Sequence, residues 1–253
     1  MFQLNKKDQN GFSVLLAILI MTSLIITTFA LSDVVLRVGR SSRQIGQSEI
    51  AYYAAETAVE KALYQIEQNR TVAGLDGETG VLAETGADWE REVKPITSLT
   101  IKCGEGEGEL HSDEQGICVG VAGDIDDSNP LRVQLNSGSS FQLDLNFQAM
   151  AYPDNLQVNW TDPEGKCKLV VSGNDGHYSY SSSQKLYDLG SNLYTLRLVN
   201  DSSSMVTFEL VPATGASLPI GIKVTGIGKY KGQKRILEVE RHNWQIYQVP
   251  QVP

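Results

Sequence analysis

A polar opening segment gives way to an apolar run from Phe12 to Leu31, and no charged side chain occurs between Asp8 and Asp33. About 20 helical residues at about 1.5 Å each span about 30 Å, the thickness of a bilayer's hydrocarbon core. An ionised group at its centre is costly, which accounts for the gap in charge. Beyond the run, Ile45, Tyr52, Ala55, Val59, Leu63 and Ile66 recur at spacings of three, four or seven residues, the period of one helix face. Ala51, Ala54, Ala55, Ala58 and Ala62 add helix propensity and a narrow surface. The first proline is Pro95, so nothing forces a break, although Gly39 and Gly46 are points where the helix can loosen. The pattern predicts one helix over 12–69, its part 12–31 spanning a membrane, about 85 Å long if unbroken. One small domain cannot cover such a rod. Its first half must be covered by lipid or by other subunits.

After a stretch rich in Gly, Thr and acids at 70–88, read as a linker loop, the period changes from 3.6 to 2. Strands are expected at 91–102, 117–122, 131–136, 141–147, 156–160, 167–172, 193–199, 205–211, 220–229 and 233–241. Phe141-Gln-Leu-Asp-Leu-Asn-Phe147 alternates cleanly, as a half-buried strand does. Lys231-Gly232 reads as a hairpin turn between the last two runs. The fold class is α+β: the long helix, then an antiparallel β-rich, sandwich-like domain over 89–243. Residues 244–253, ending in prolines, are expected to form a loose extended tail.

Composition narrows the possibilities. Hydrophobic residues make up 41% of the chain, enough for a core, and the net charge is -9. Such an acidic surface does not attract a phosphate backbone as a whole, so no specific nucleic-acid partner is predicted. Arg37, Arg40 and Arg43 form the clearest basic patch and can also meet lipid head groups. Cys103 and Cys118 bracket a polar loop and can pair in an oxidising compartment. The bridge would contribute roughly 3 kcal/mol by loop closure. Cys167, in an apolar-flanked run, reads as a buried free thiol.

The flanks of the apolar run are informative. Lys6 and Lys7 favour a cytoplasmic N-terminus. The run is longer than a secretory signal's core and no A-x-A site follows it. Instead, Lys6-Lys7-Asp8-Gln9-Asn10-Gly11-Phe12 resembles a type IV prepilin leader. Ser48-Glu-Ile-Ala-Tyr-Tyr-Ala-Ala-Glu-Thr-Ala-Val-Glu60 resembles the helix motif of PilX-type minor pilins and of the related K-type pseudopilins of type II secretion. The motif positions are Tyr52, Tyr53, Ala54, Ala55, Glu56 and Glu60. A looser likeness covers Ile222–Val239.

This resemblance implies a subunit of a type IV pilus or related filament. It implies cleavage by prepilin peptidase between Gly11 and Phe12, removal of leader 1–11 and methylation of Phe12. Its implied partners are other pilins and inner-membrane lipid. The chain would be single-pass with its C-terminal domain outside the cytoplasm, and would reach a cell-surface filament after assembly. One departure concerns Leu16, the fifth residue counted from Phe12, where major pilins carry a Glu that pairs with a neighbour's amino terminus. A buried unpaired ammonium is costly, so Leu16 suits a terminal, initiating place better than a repeated one. The rival expectation is a single-pass membrane-anchored protein whose β domain binds a ligand outside any filament.

Other candidate chemistry is thin. Asp124, Asp126 and Ser128 alternate like the start of a calcium loop, but Asn129 and Leu135 stand where an EF-hand needs Gly and Glu. The favoured reading is a solvated turn, with calcium as the weaker alternative and no cofactor expected. Gly104–Glu109 reads as a solvated acidic loop, Gly226–Gly232 lacks phosphate-loop spacing, and His177–Ser183 reads as a plain loop. No G-x-S-x-G or H-E-x-x-H occurs, and no enzyme activity is expected.

Overall fold

The computed structural model describes residues 8–104 and 114–248. Helix α1 runs unbroken from Asp8 to Asn69, 62 residues, about 93 Å at about 1.5 Å per residue. It begins ahead of the expected residue 12, in a segment where no proline interrupts it. Neither Gly39 nor Gly46 breaks it. It ends at Arg70, whose φ of 49° is left-handed and turns the chain away, with the Arg70 N–H donating to Ile66 O at 2.9 Å.

The rest is antiparallel β structure. A four-stranded sheet has the order β1 (Thr79–Val81), β2 (Asp88–Ile96), β14 (Gly221–Tyr230), β15 (Gln233–His242). A five-stranded sheet has the order β10 (Gly176–Tyr180), β9 (Lys168–Gly173), β12 (Thr195–Asn200), β7 (Ser139–Asp144), β16 (Trp244–Tyr247). A second one has the order β11 (Gln184–Tyr187), β8 (Asn155–Trp160), β13 (Val206–Pro212), β6 (Leu131–Leu135), β4 (Gly116–Cys118). A small ribbon pairs β3 (Ser98–Leu99) with β5 (Gly123–Asp124), and a single helical turn, α2, spans Leu189–Asn192.

Both five-stranded sheets feed one buried cluster. Alternation explains it: Leu131, Val133 and Leu135 of β6 and Val206, Phe208 and Leu210 of β13 point inward while their neighbours are half-exposed. Phe141 of β7 and Leu198 of β12 join them from the other sheet. Asn200 is also fully buried there. Its amide donates to Leu135 O and Ser204 O at 2.7 and 2.8 Å, and its Oδ1 accepts from Ser202 Oγ at 2.6 Å. A buried amide so satisfied costs little and orients the loop after β12.

The four-stranded sheet instead takes the upper half of α1. Ile222 and Val224 of β14 pack with Val59, Ala62 and Ile66 of the helix. Further along, β14 presents Gly226 and Gly228. A Cβ on Gly226 would collide with the Ala55 backbone and lie 2.8 Å from Val59 Cγ2, and one on Gly228 would lie 2.6 Å from Ala55 N. Strand and helix run antiparallel, and their rises match: two strand residues advance about 6.6 Å and four helical residues about 6 Å. The sheet backbone therefore lies on the helix backbone over successive turns.

Several expectations need correction. The strand expected over 91–102 is two, β2 and β3, because the chain changes partner after Ile96: β2 pairs with β14 through Ile96, and β3 pairs with β5. The linker 70–88 contains β1, paired with β2. The loop at His177–Ser183 is largely β10, an edge strand paired with β9, and β11 follows at 184–187. The tail is not loose over 244–247: β16 pairs with β7, and Trp244 stacks on Phe141 with ring centroids 6.1 Å apart. The acidic run at Gly104–Glu109 lies outside the described residues after Gly104.

Candidate functional site

Helix α1 has two unlike parts. From Val14 to Ile45 every residue is exposed. Seventeen of them are large apolar side chains, among them Leu16 at 49%, Met21 at 70% and Phe29 at 73% exposure. This segment is long and apolar enough to cross a membrane. From Ala51 upward, by contrast, Ala51, Ala54, Ala55, Ala58, Ala62 and Ile66 are fully buried beneath the sheet.

The motif at 52–60 is divided by the helix period. Ala54 and Ala55 face the sheet, while Tyr52 and Tyr53 stand outward at 42% and 52% exposure. Glu60 is exposed and Glu56 half-buried. The Tyr53 hydroxyl donates to Glu49 Oε1 at 3.3 Å, and the negative charge of Glu49 raises its pKa. Small residues thus make the close approach, and aromatic and acidic ones face away from the domain.

Arg91, on β2, fastens the seam from the side. It is fully buried. Its Nε donates to Leu75 O at 3.0 Å and its Nη2 to Gln65 Oε1 at 2.7 Å, and Nη2 also pairs with Glu78. One guanidinium so joins helix, linker and sheet. Beside it, Trp89 is 5% exposed and packs on Ala54, Ala58 and Ala87, with Lys61 Nζ 4.7 Å from its ring centroid. At the helix end, Arg241 of β15 pairs with Glu67 at 2.6 Å and lowers that carboxyl's pKa.

The remaining sites stand as follows. Gly11 and Phe12 fall within α1, and leader residues 1–7 lie outside the described ones. Cys103 and Cys118 are disulfide-bonded, with Cα atoms 5.2 Å apart. Cys167 is a buried free thiol whose pKa burial pushes up to about 11. Asp126 Oδ1 accepts the N–H groups of Ser128 and Asn129 at 2.9 and 2.8 Å, and Asp124 Oδ1 accepts from Thr97 Oγ1 at 3.0 Å. These carboxylates shape a turn. Among the described residues no three His, Cys, Asp or Glu side chains gather as metal ligands.

The helix–sheet seam of Gly226, Gly228 and Arg91 was not among the sites expected from sequence. Its signal was the Gly-Ile-Gly break in a strand pattern, which marks close backbone approach.

No family model and no curated protein matches the chain. Among solved structures, a sugar phosphate isomerase of the cupin superfamily from Silicibacter pomeroyi is similar at 12% identity. That match covers 43% of this chain and 66% of that one, at a TM-score of 0.23, and carries no argument about fold or activity.

Proposed function

We propose that the chain is a minor pilin or pseudopilin, a structural subunit of a type IV pilus or related filament acting in tip initiation or assembly. The observation that carries this is the bare lower half of α1. Seventeen large apolar side chains between Val14 and Ile45 are exposed. Burying each gains about 1.5–3 kcal/mol, so leaving all in water costs tens of kcal/mol. Lipid covers them before assembly and sister helices cover them afterwards. Prepilin peptidase removes residues 1–11, the mature chain starts at a methylated Phe12, and the β domain, read as a sandwich of the two five-stranded sheets, stays outside the cytoplasm. Leu16 offers no carboxylate to a neighbour's amino terminus, which suits the filament's end.

N-terminal sequencing of the chain from cells with active prepilin peptidase tests this. The expected first residue is Phe12. A chain that keeps Met1 overturns the reading and leaves a single-pass membrane-anchored protein with a ligand-binding β domain.

A further inference from the structure

The outer faces of the two five-stranded sheets use their polar groups differently. On β7 and β12 these groups serve each other. Arg197 Nη2 donates to Ser140 Oγ at 3.1 Å, and Gln142 Nε2 and Thr195 Oγ1 donate to Asp144 Oδ1 at 3.0 and 3.1 Å. The face made by β11, β8 and β13 is hollowed instead. Asn159, Ser183, Met205, Thr207 and Glu209 line one hollow of about 520 Å³. Asn155, Gln157, Lys185 and Val211 line another of about 520 Å³. The two adjoin, since Gln157 Nε2 donates to Asn159 Oδ1 at 3.0 Å. Each has the volume of a small-ligand site.

Alternation puts these side chains on one side. Leu156, Val158, Leu186, Phe208 and Leu210 are buried beneath them. Asn159 stands directly across from Glu209, and Gln157 from Lys185. The bond from Gln157 orients the Asn159 amide and leaves its Nδ2 to donate. Glu209 Oε1 accepts from Arg132 Nε at 3.0 Å, which leaves Oε2 to accept. Among the described residues neither of these two atoms, nor the hydroxyls of Ser183 and Thr207, has a protein partner. A held donor beside a held acceptor suits two adjacent hydroxyls of a sugar ring, each of which can both give and take a hydrogen bond.

Charge and length narrow the ligand. Glu209 and Asp127 are balanced by Arg132 and Lys185, so the face favours neither an anionic nor a cationic ligand. Tyr187, across from Asn155 at the end of the row, is 59% exposed and offers a ring to the C–H side of a sugar. Asn155, Gln157 and Asn159 together cover about 13 Å of strand, more than one sugar ring.

We propose that this face binds a neutral, unbranched oligosaccharide laid along β8. Asn159 Nδ2 and Glu209 Oε2 hold adjacent hydroxyls of one sugar, and Gln157 and Tyr187 meet the sugars that follow. No residue of α1 lines either hollow, so the site works whether or not the chain enters a filament.

The test uses the full-length chain in lauryldimethylamine oxide, a detergent without a sugar head group. Cellotetraose, chitotetraose and maltotetraose are titrated by calorimetry, with hyaluronan tetrasaccharide as the anionic counterpart. At least one neutral tetrasaccharide is expected to bind with a Kd of about 1 mM or tighter. Asn159→Ala and Glu209→Ala each weaken it at least about tenfold, and Tyr187→Ala at least about threefold. Gln142→Ala, on the outer face of the other sheet, leaves the Kd unchanged. Urea midpoints are measured alongside. Where Glu209→Ala disturbs folding, Asn159→Ala and the exposed Tyr187→Ala decide the matter.

Failure of all three neutral tetrasaccharides to bind overturns the inference. So does binding that Asn159→Ala and Tyr187→Ala leave intact, or that Gln142→Ala weakens equally. Tighter binding of the hyaluronan tetrasaccharide than of any neutral one overturns it as well.

Discussion

The lower and upper halves of α1 are both apolar and both uncharged on one face, yet they bury nothing alike. Between Val14 and Ile45 the large apolar side chains are Leu, Ile, Val, Met and Phe, all exposed. Above residue 50 the buried face is mainly alanine, set against strand glycines. Large branched side chains hold a neighbouring backbone at a distance. Alanine against glycine suits a permanent partner, because only small residues bring two backbones into contact. Composition within a helix thus separates the part buried under the chain's own sheet from the part that the chain leaves bare.

The comparison breaks most severely at Gly228. Gly228→Val places a branched side chain into the Ala51–Ala55 backbone. It is expected to cost about 3 kcal/mol or more, read as a lowered urea midpoint of the detergent-solubilised chain and as new protease sensitivity above residue 50. Arg91→Met leaves Gln65 and the Leu75 carbonyl without their donor. A loss of about 2–3 kcal/mol follows in the same assay, with the helix detaching before the five-stranded sheets unfold. Cys103→Ser is a control away from the seam. Loss of a bridge with sequence separation 15 costs about 3 kcal/mol and leaves protease sensitivity of the helix unchanged.

Cys167 gives a pH control. Its folded pKa, about 11, is raised by burial above its ordinary value. Its contribution is therefore complete at neutral pH and is lost as pH rises toward 11. An alkylating reagent at pH 8 is expected to label it only after denaturation. Smallest of all, Leu24→Ala in the bare half changes the unfolding free energy by no more than about 0.5 kcal/mol, since nothing in the chain packs on it.

What sequence revealed followed the strength of its periodicities. The helix was legible from its apolar run and from the three- and four-residue recurrence through Ile66. The central strands β6, β13 and β14 were legible from alternation. Edge strands were not. In β10, His177, Tyr178 and Ser179 are all exposed, so no buried side imposes a pattern. In β16, Trp244 and Ile246 do alternate inward, but the prolines after them suggested a free end. Arg91 was illegible because a charged residue in a strand ordinarily faces water. Only the linker folding back with Glu78 and Leu75 makes its burial affordable. The outward and inward halves of the motif at 52–60 could be separated only once the sheet's position was known.

One consequence follows from the matched rises of β14 and α1. Because strand and helix lie side by side and run along a common axis, tension applied between the rod's foot and the β domain loads the seam in shear. The contacts at Gly228, Gly226, Val224 and Ile222 must then yield together rather than one after another. Such a joint resists pulling far better than peeling.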